Sequence, residues 1–331
     1  MKTKKIYALL ALAALCLLSP ACNDEWTDEQ YQKNVSFVRS IKNNVSNVYL
    51  KYRSDGVASY KIPLVVSGST GNDRDVAVTV AIDPDTLDDL NFDRFRYQTK
   101  LYFKLLEEQY YEFPNGATAT IPAGKDVGLL DINFRMAGLD LVDKYVLPLK
   151  IESTSTYAPA PRREYIKTLM RIVPFNDFSG VYTPTGGELW LLSNVGAEVE
   201  SLGAYEEQRE TRVVDESTVF FYAGQVQELE QERALYKIRM RFNSDNSLTL
   251  TADSARIEFA DEGSTYELST TTDPTKPYLK RHYTVIKLTY SFKDFTNPQD
   301  PIHYRVKNVS MRMERLQNTL IPEEDQQFIF E

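Results

Sequence analysis

Apolar and polar positions alternate over short stretches between Val35 and Ile172. Val48, Leu50 and Tyr52 alternate with Tyr49 and Lys51, and Val76, Val78, Val80 and Ile82 alternate with small or polar residues. A period of two sends one set of side chains to a buried sheet face and the other toward water, so these stretches read as half-buried strands. Residues 61–66 form a β-rich apolar run, and Ser54-Asp55-Gly56 and Ser67-Gly68-Ser69-Thr70-Gly71-Asn72 supply turn chemistry. Asp83-Pro84-Asp85 closes a strand and reads as a turn followed by helix capping. Residues 86–112 mix helix formers with aromatics, and residues 100–108 are expected to be helical. Residues 118–124, 129–134 and 144–151 add strands whose prolines point to sheet edges or strand ends. The count is about seven strands at sandwich spacing.

The phrase Ile172-Val173-Pro174-Phe175-Asn176-Asp177-Phe178-Ser179-Gly180 breaks this pattern with a proline and a polar turn, and a second β series follows. A domain boundary is expected there, giving a first domain over residues 35–172 and a second over residues 173–331. The second series comprises residues 187–192, 218–222, 235–242, 247–251, 256–259, 265–269, 281–292 and 303–315. Its clearest strand sets Tyr236, Ile238, Met240 and Phe242 on one face, with Lys237, Arg239 and Arg241 facing water. The acidic, Gln-rich residues 198–216 and 225–232 read as loop or short helix. The expected fold is all-β: an N-terminal immunoglobulin-like β-sandwich, then a C-terminal antiparallel β domain, either a lipocalin-like barrel or a sandwich.

The start of the chain follows a different pattern. Lys2, Lys4 and Lys5 precede an uncharged apolar run from Ile6 to Leu18, too short to span a bilayer as an ordinary helix, and this reads as an export signal over residues 1–21. The following Leu18-Ser19-Pro20-Ala21-Cys22 resembles a bacterial lipobox, which makes Cys22 the expected lipid-attachment residue. Residues 22–34 would then be a lipidated tether whose acidic string, Asn23 to Glu29, is either a solvated spacer or similar to the surface-export signal of Bacteroidetes lipoproteins. A multi-chain lipid anchor holds a protein at an outer membrane on any functional timescale, here expected to face the cell exterior.

Charge and cysteine content narrow the chemistry. With 38 basic and 47 acidic residues the chain carries a formal charge of −9, and loss of the three signal lysines takes it to −12. Such a surface repels polyanions, so nucleic acid is not an expected partner. The only cysteines are Cys16, in the signal, and Cys22, so no thiol is left for a disulfide, a cysteine nucleophile or a zinc-thiolate site.

The Thr120-Ile121-Pro122-Ala123-Gly124 turn, the Tyr145-Val146-Leu147-Pro148-Leu149 strand and the phrase Pro174-Phe175-Asn176-Asp177-Phe178-Ser179-Gly180-Val181-Tyr182 together resemble a family of Bacteroidetes outer-membrane lipoproteins. Its members have an N-terminal β-sandwich, also found before some endo-β-N-acetylglucosaminidases, and a second β domain. The resemblance implies association with Sus-type glycan importers and a role in holding glycans at the cell surface.

No catalytic constellation accompanies this pattern. His282 and His303 are the only histidines and lie in no triad or metal motif; each reads as a strand residue with a satisfied ring. The Asp-x-x-Asp-x-Asp-x-Glu pattern of related endoglycosidases is absent, and two β domains leave no room for a (β/α)₈ barrel. The expected protein is therefore not an enzyme, uses no cofactor and has no assigned metal-ligating residue. Sugar rings stack on aromatic faces, which makes Trp190, Tyr222 and Tyr283 the candidate ligand-binding residues, although a strand tryptophan is more often core. The expected function is non-catalytic glycan binding by a surface lipoprotein accessory to an import system. The alternative is a structural or protein-interaction surface lipoprotein acting in adhesion or assembly.

Overall fold

The computed structural model describes residues 29–40 and 45–322. Cys22, Trp26, the signal segment and most of the acidic string lie outside the described residues. The first half contains β1 (Asn34–Phe37), β2 (Ser46–Lys51), β3 (Val57–Ser67), β4 (Val76–Ile82), α1 (Pro84–Phe95) and β5 (Phe103–Leu105). It continues through β6 (Tyr111–Glu112), β7 (Thr118–Ile121), β8 (Val127–Arg135), β9 (Lys144–Thr154), β10 (Ala158–Pro159) and β11 (Lys167–Phe175). One sheet runs β10-β1-β3-β8-β6; the other runs β2-β11-β9-β4-β7, with β5 beside β9. Mostly antiparallel neighbours, split between two sheets with β2 parallel to β11, β1 parallel to β10 and β5 parallel to β9, give the strand order of an immunoglobulin-like sandwich. The alternation holds: Val48, Leu50, Val76, Val78 and Val80 are buried and Tyr49 is exposed.

Two readings of this half need correction. The helix is α1, not residues 100–108. Proline at its first turn presets the helical dihedral after Asp83, and the Asn91 side chain bridges both ways to the Phe103 backbone (2.8 Å each). That bridge holds residues 103–105 extended alongside β9. Proline also does not mark an edge at Pro148, which lies inside β9 between β4 and β11. Its carbonyl accepts from Asp83 N (3.1 Å), so its missing N–H faces the point where β4 has given way to α1, and no ladder donor is lost. Because β9 is covered by the sandwich core on one face and by α1 on the other, its burial is nearly continuous instead of alternating.

The second half contains β12 (Gly180–Leu192), β13 (Glu198–Ala204), β14 (Arg209–Val213), β15 (Thr218–Tyr222), β16 (Lys237–Phe242) and β17 (Ser247–Ala252). The last elements are β18 (Ala260–Asp261), β19 (Ser264–Thr272), β20 (Leu279–Asp294) and β21 (Ile302–Asn318). Antiparallel pairing runs β12-β14-β15-β16-β17-β19-β20-β21 and returns from β21 to β12, which closes an eight-stranded barrel. Of the two alternatives read from the sequence, the barrel is the one found. Gly187 allows the closure: a Cβ there would lie 2.4 Å from Val309 Cα, at a register shift between β12 and β21.

Residues 209–213, read as loop or short helix, are the barrel strand β14. Two of its three inward positions, Arg209 and Thr211, are polar and only Val213 is apolar, too little for a hydropathy period. Residues 255–257 form a 3₁₀ turn where a strand was expected. Lys237 does not face water; it is buried and paired with Asp253 (3.1 Å) and with Asp140 of the sandwich (2.9 Å).

Candidate functional site

The two halves meet through side chains that reach across. Arg233, buried in the loop after β15, donates to Val142 O (3.0 and 3.1 Å) and Lys100 O (3.1 Å) of the sandwich and to Glu230 O (3.2 Å) of its own loop. Lys100 pairs with Glu232 at 2.5 Å. The crossing segment is pinned as well. Arg315 donates to Asn176 O (2.6 Å) and Ser179 O (2.5 Å), and Asn176 Nδ2 donates to Asp215 O (2.7 Å).

Beside this seam lies a cleft of about 250 Å³. The sandwich contributes Asn47 and Tyr49 from β2, Leu141 and Asp143 from the loop before β9, and Arg171 and Pro174 from β11. The barrel contributes Val181 from β12 and Glu210 and Arg212 from β14. The strand period explains the β14 pair: Arg209 and Thr211 point into the barrel, so Glu210 and Arg212 project from it toward the sandwich. Tyr49 is 57% exposed because its neighbours Val48 and Leu50 take the buried phase of β2. Asn47 Nδ2 lies 3.4 Å from the Tyr49 hydroxyl.

The cleft's charged wall is matched internally. Glu228 bridges Arg171 (2.5 Å) and Arg212 (3.3 Å), and Arg212 also pairs with Glu210 (2.9 Å). Burial opposes ionisation of Glu228, but Arg212, Arg171 and Lys144 outweigh it and hold its carboxyl below the usual range. Lys144 is 3% exposed and lies over the rings of Phe95 (4.6 Å) and Phe103 (5.0 Å). Desolvation, joined by repulsion from the nearby Arg233, Arg171 and Arg94, lowers its pKa to about 8 against the attraction of Glu228. The wall therefore offers several donors and acceptors with little uncompensated charge, beside an exposed tyrosine face.

The structure does not gather the three aromatic residues singled out from the sequence. Tyr222 is 4% exposed behind the cleft, with the Arg212 guanidinium 5.9 Å from its ring and no hydrogen-bond partner for its hydroxyl among the described residues. It offers no open face for stacking. Trp190 is half-buried on β12 with Lys307 Nζ 5.1 Å above its ring and Nε1 donating to Glu188 (2.7 Å). Tyr283 is half-buried on β20, opposite Glu314, with Arg312 5.2 Å from its ring. Trp190 pairs across the ladder with Arg305, seven residues along β21 from Arg312, which separates the two sites by roughly 20 Å. Tyr49 was not among those candidates, although its aromatic ring in the polar phase of β2 was a signal present in the sequence. The Arg171–Glu228–Arg212 bridge had no such signal, since it joins residues from three separate stretches. His282 reads as expected, with Thr270 Oγ1 and Gln317 Oε1 on its two nitrogens. His303 departs from expectation, since its buried Nδ1 has no partner among the described residues.

Among the described residues no cluster of His, Cys, Asp and Glu is placed to hold a metal ion, and no helix is long and apolar enough to cross a membrane.

Comparison with known proteins covers nearly the whole chain. The family model for a domain of unknown function, DUF4973, matches residues 26–155, and a second model, for a C-terminal domain, matches residues 166–311. A Bacteroides ovatus protein of unknown function is 37% identical, with a TM-score of 0.78 over 88% of this chain and 98% of that one. A multidomain Bacteroides ovatus protein that includes DUF1735 is also 37% identical, with a TM-score of 0.77 over 90% of this chain and 99% of that one. A Bacteroides thetaiotaomicron protein described as an auxiliary nutrient binding protein is 33% identical, with a TM-score of 0.76 over 87% of this chain and 96% of that one. No curated protein matches the chain.

Proposed function

The chain belongs to a two-domain Bacteroides family whose N-terminal part is the DUF4973 domain, and from that premise we propose that it is a nutrient-binding protein whose ligand is a glycan. It holds the glycan in the cleft between sandwich and barrel and does not cleave it. The observation that carries this reading is the exposed Tyr49 face beside Asn47, Asp143, Arg171, Glu210 and Arg212. A sugar ring stacks its C–H face on such a tyrosine, while amide, carboxylate and guanidinium groups meet its hydroxyls as donors and acceptors. The 33% identical relative described as nutrient binding supports the same reading. In this proposal Cys22 carries the lipid anchor, the protein faces outward from the outer membrane, and it hands glycan to a Sus-type importer.

The test is a glycan array followed by calorimetry on the purified full chain. Binding is expected at roughly micromolar to millimolar Kd, because a shallow cleft buries little area. Tyr49→Ala should weaken binding about tenfold without moving the melting temperature, and the glycan should be recovered intact by chromatography. Unchanged affinity in Tyr49→Ala would remove the cleft from the account.

A further inference from the structure

A second cavity, of about 390 Å³, adjoins the first. Ser179, Gly180 and Val181 line both, so the start of β12 is a shared sill between them. The pairing scheme explains why the second cavity exists. Residues 180–182 of β12 pair with β14, whereas β21 joins β12 only from the Thr183–Arg312 pair onward. The β12–β21 ladder ends at Arg312, and Met313, Glu314, Arg315 and Leu316 beyond it form the other wall of the cavity. Gly180 keeps the sill low: a Cβ there would stand 2.6 Å from Met313 Sδ. Val181, 51% exposed, caps the sill as an apolar ridge facing both sides.

From this continuity we infer that the ligand is an uncharged linear oligosaccharide running from the Tyr49 cleft over Val181 to the wall that β21 forms beyond Arg312. The inference rests on the reading of the Tyr49 cleft as a glycan site and adds length and charge to it. A cavity of about 250 Å³ is small for a ligand site, and a chain entering the second cavity buries more of itself. The charged groups along the path are already matched: Arg171 and Arg212 by Glu228 and Glu210, and Glu314 by Arg281 at 2.5 Å. Matched pairs still hydrogen-bond hydroxyls, but they give an ionic ligand no uncompensated charge to neutralise.

The experiment uses the full chain and a panel of mannan, β-glucan, xylan, polygalacturonate and heparan sulfate. The panel is followed by size-fractionated fragments, one to eight residues long, of whichever polymer binds best. The inference expects a neutral polymer and an affinity that climbs at least about tenfold with fragment length before levelling. Leu316→Arg should remove the gain with length, and Tyr49→Ala should weaken fragments of every length. Both variants must melt as the wild type does. Affinity independent of length, a gain with length that survives Leu316→Arg, or preference for an acidic polymer would overturn the inference and leave the Tyr49 cleft as a glycan site. Absence of binding to every polymer would overturn both.

Discussion

The interiors of the two halves are built from different materials. Between its sheets the sandwich is apolar, with Val35, Leu64, Ile132, Phe134, Leu147 and Leu149 fully or almost fully buried. The barrel mixes Ile238, Met240 and Met311 with Tyr182, Tyr205, Arg209, Thr211, Tyr290 and Arg315, all buried. An apolar core constrains volume, and substitutions that conserve volume are tolerated. A core with hydroxyls and guanidinium groups constrains the position of each partner as well. Tyr182 donates its hydroxyl to Phe178 O (2.8 Å), and Arg209 Nε donates to the Tyr205 hydroxyl (2.6 Å). The polar interior thus fixes where the chain crosses from one half to the other, and with it the sill of the cleft.

The largest expected effect tests that difference directly. Arg315→Met removes the donor to Ser179 O and the shorter of two donors to Asn176 O, which keeps only the Ser179 hydroxyl at 3.3 Å, for an expected loss of about 3 kcal/mol. Phe134→Leu, at a comparably buried site in the sandwich, removes volume only and should lose about 1.5 kcal/mol. Urea unfolding followed by circular dichroism compares the two. Equal losses would mean that the polar interior of the barrel has no special role in fixing the crossing.

The same difference decides what could be read from the sequence. Alternation found β2, β4 and β16 because their buried phase is apolar. It missed β14, whose inward residues include Arg209 and Thr211, and it placed Lys237 in water because a lysine in the polar phase of a strand usually is. Asn176 and Ser179 read as an open junction but are buried, since the donor that satisfies their carbonyls, Arg315, comes from the far end of the chain. The barrel closure between β12 and β21 is likewise non-local. Of the cleft, Tyr49 was legible in principle from its phase in β2, whereas the Arg171–Glu228–Arg212 bridge depends on three segments meeting at the seam.

A somewhat smaller effect is expected at the seam itself. Arg233→Met deprives Val142 O and Lys100 O of their donor from the barrel, costing about 2 kcal/mol. The more telling readout is calorimetric: the two halves should begin to melt separately where the wild type melts together. A single sharp transition in the variant would show that apolar packing alone couples sandwich and barrel.

Lys144 should give an effect of similar size and opposite sign. Its pKa in the folded protein, about 8, lies below its ordinary value of 10.5. The charged form is therefore penalised by folding: the penalty is complete below pH 8, shrinks as the native lysine deprotonates, and is gone above pH 10.5. Lys144→Met should stabilise the protein by about 2 kcal/mol at pH 7, a figure reduced for the lost contacts with Phe95 and Phe103, and the gap to wild type should narrow between pH 8 and 10. A gap independent of pH would mean that the lysine stays charged in the folded state.

The smallest expected effect lies at Glu29, where the acidic string meets the sandwich. The residue was read as part of a tether, yet its carboxylate accepts from Ser69 N (2.6 Å), from Thr70 N (3.2 Å) and from both hydroxyls of that pair. The Thr70 hydroxyl and the Ser69 N–H are the largest of the influences that draw its pKa from 4.5 down to about 2. A carboxyl depressed in the folded state stabilises fully above its unfolded pKa, so this attachment should hold above pH 4.5 and be lost as pH falls through about 2. The sandwich should therefore begin at Glu29, which leaves only the residues before it to act as spacer or export signal. Glu29→Gln should release the Ser69–Thr70 loop without changing the core, seen as altered amide proton shifts at those two residues and nowhere in β3 or β8. In the wild type the same two amides should titrate with a midpoint near 2. A midpoint near 4.5 would return Glu29 to the tether, since a solvated carboxylate has no reason to titrate lower.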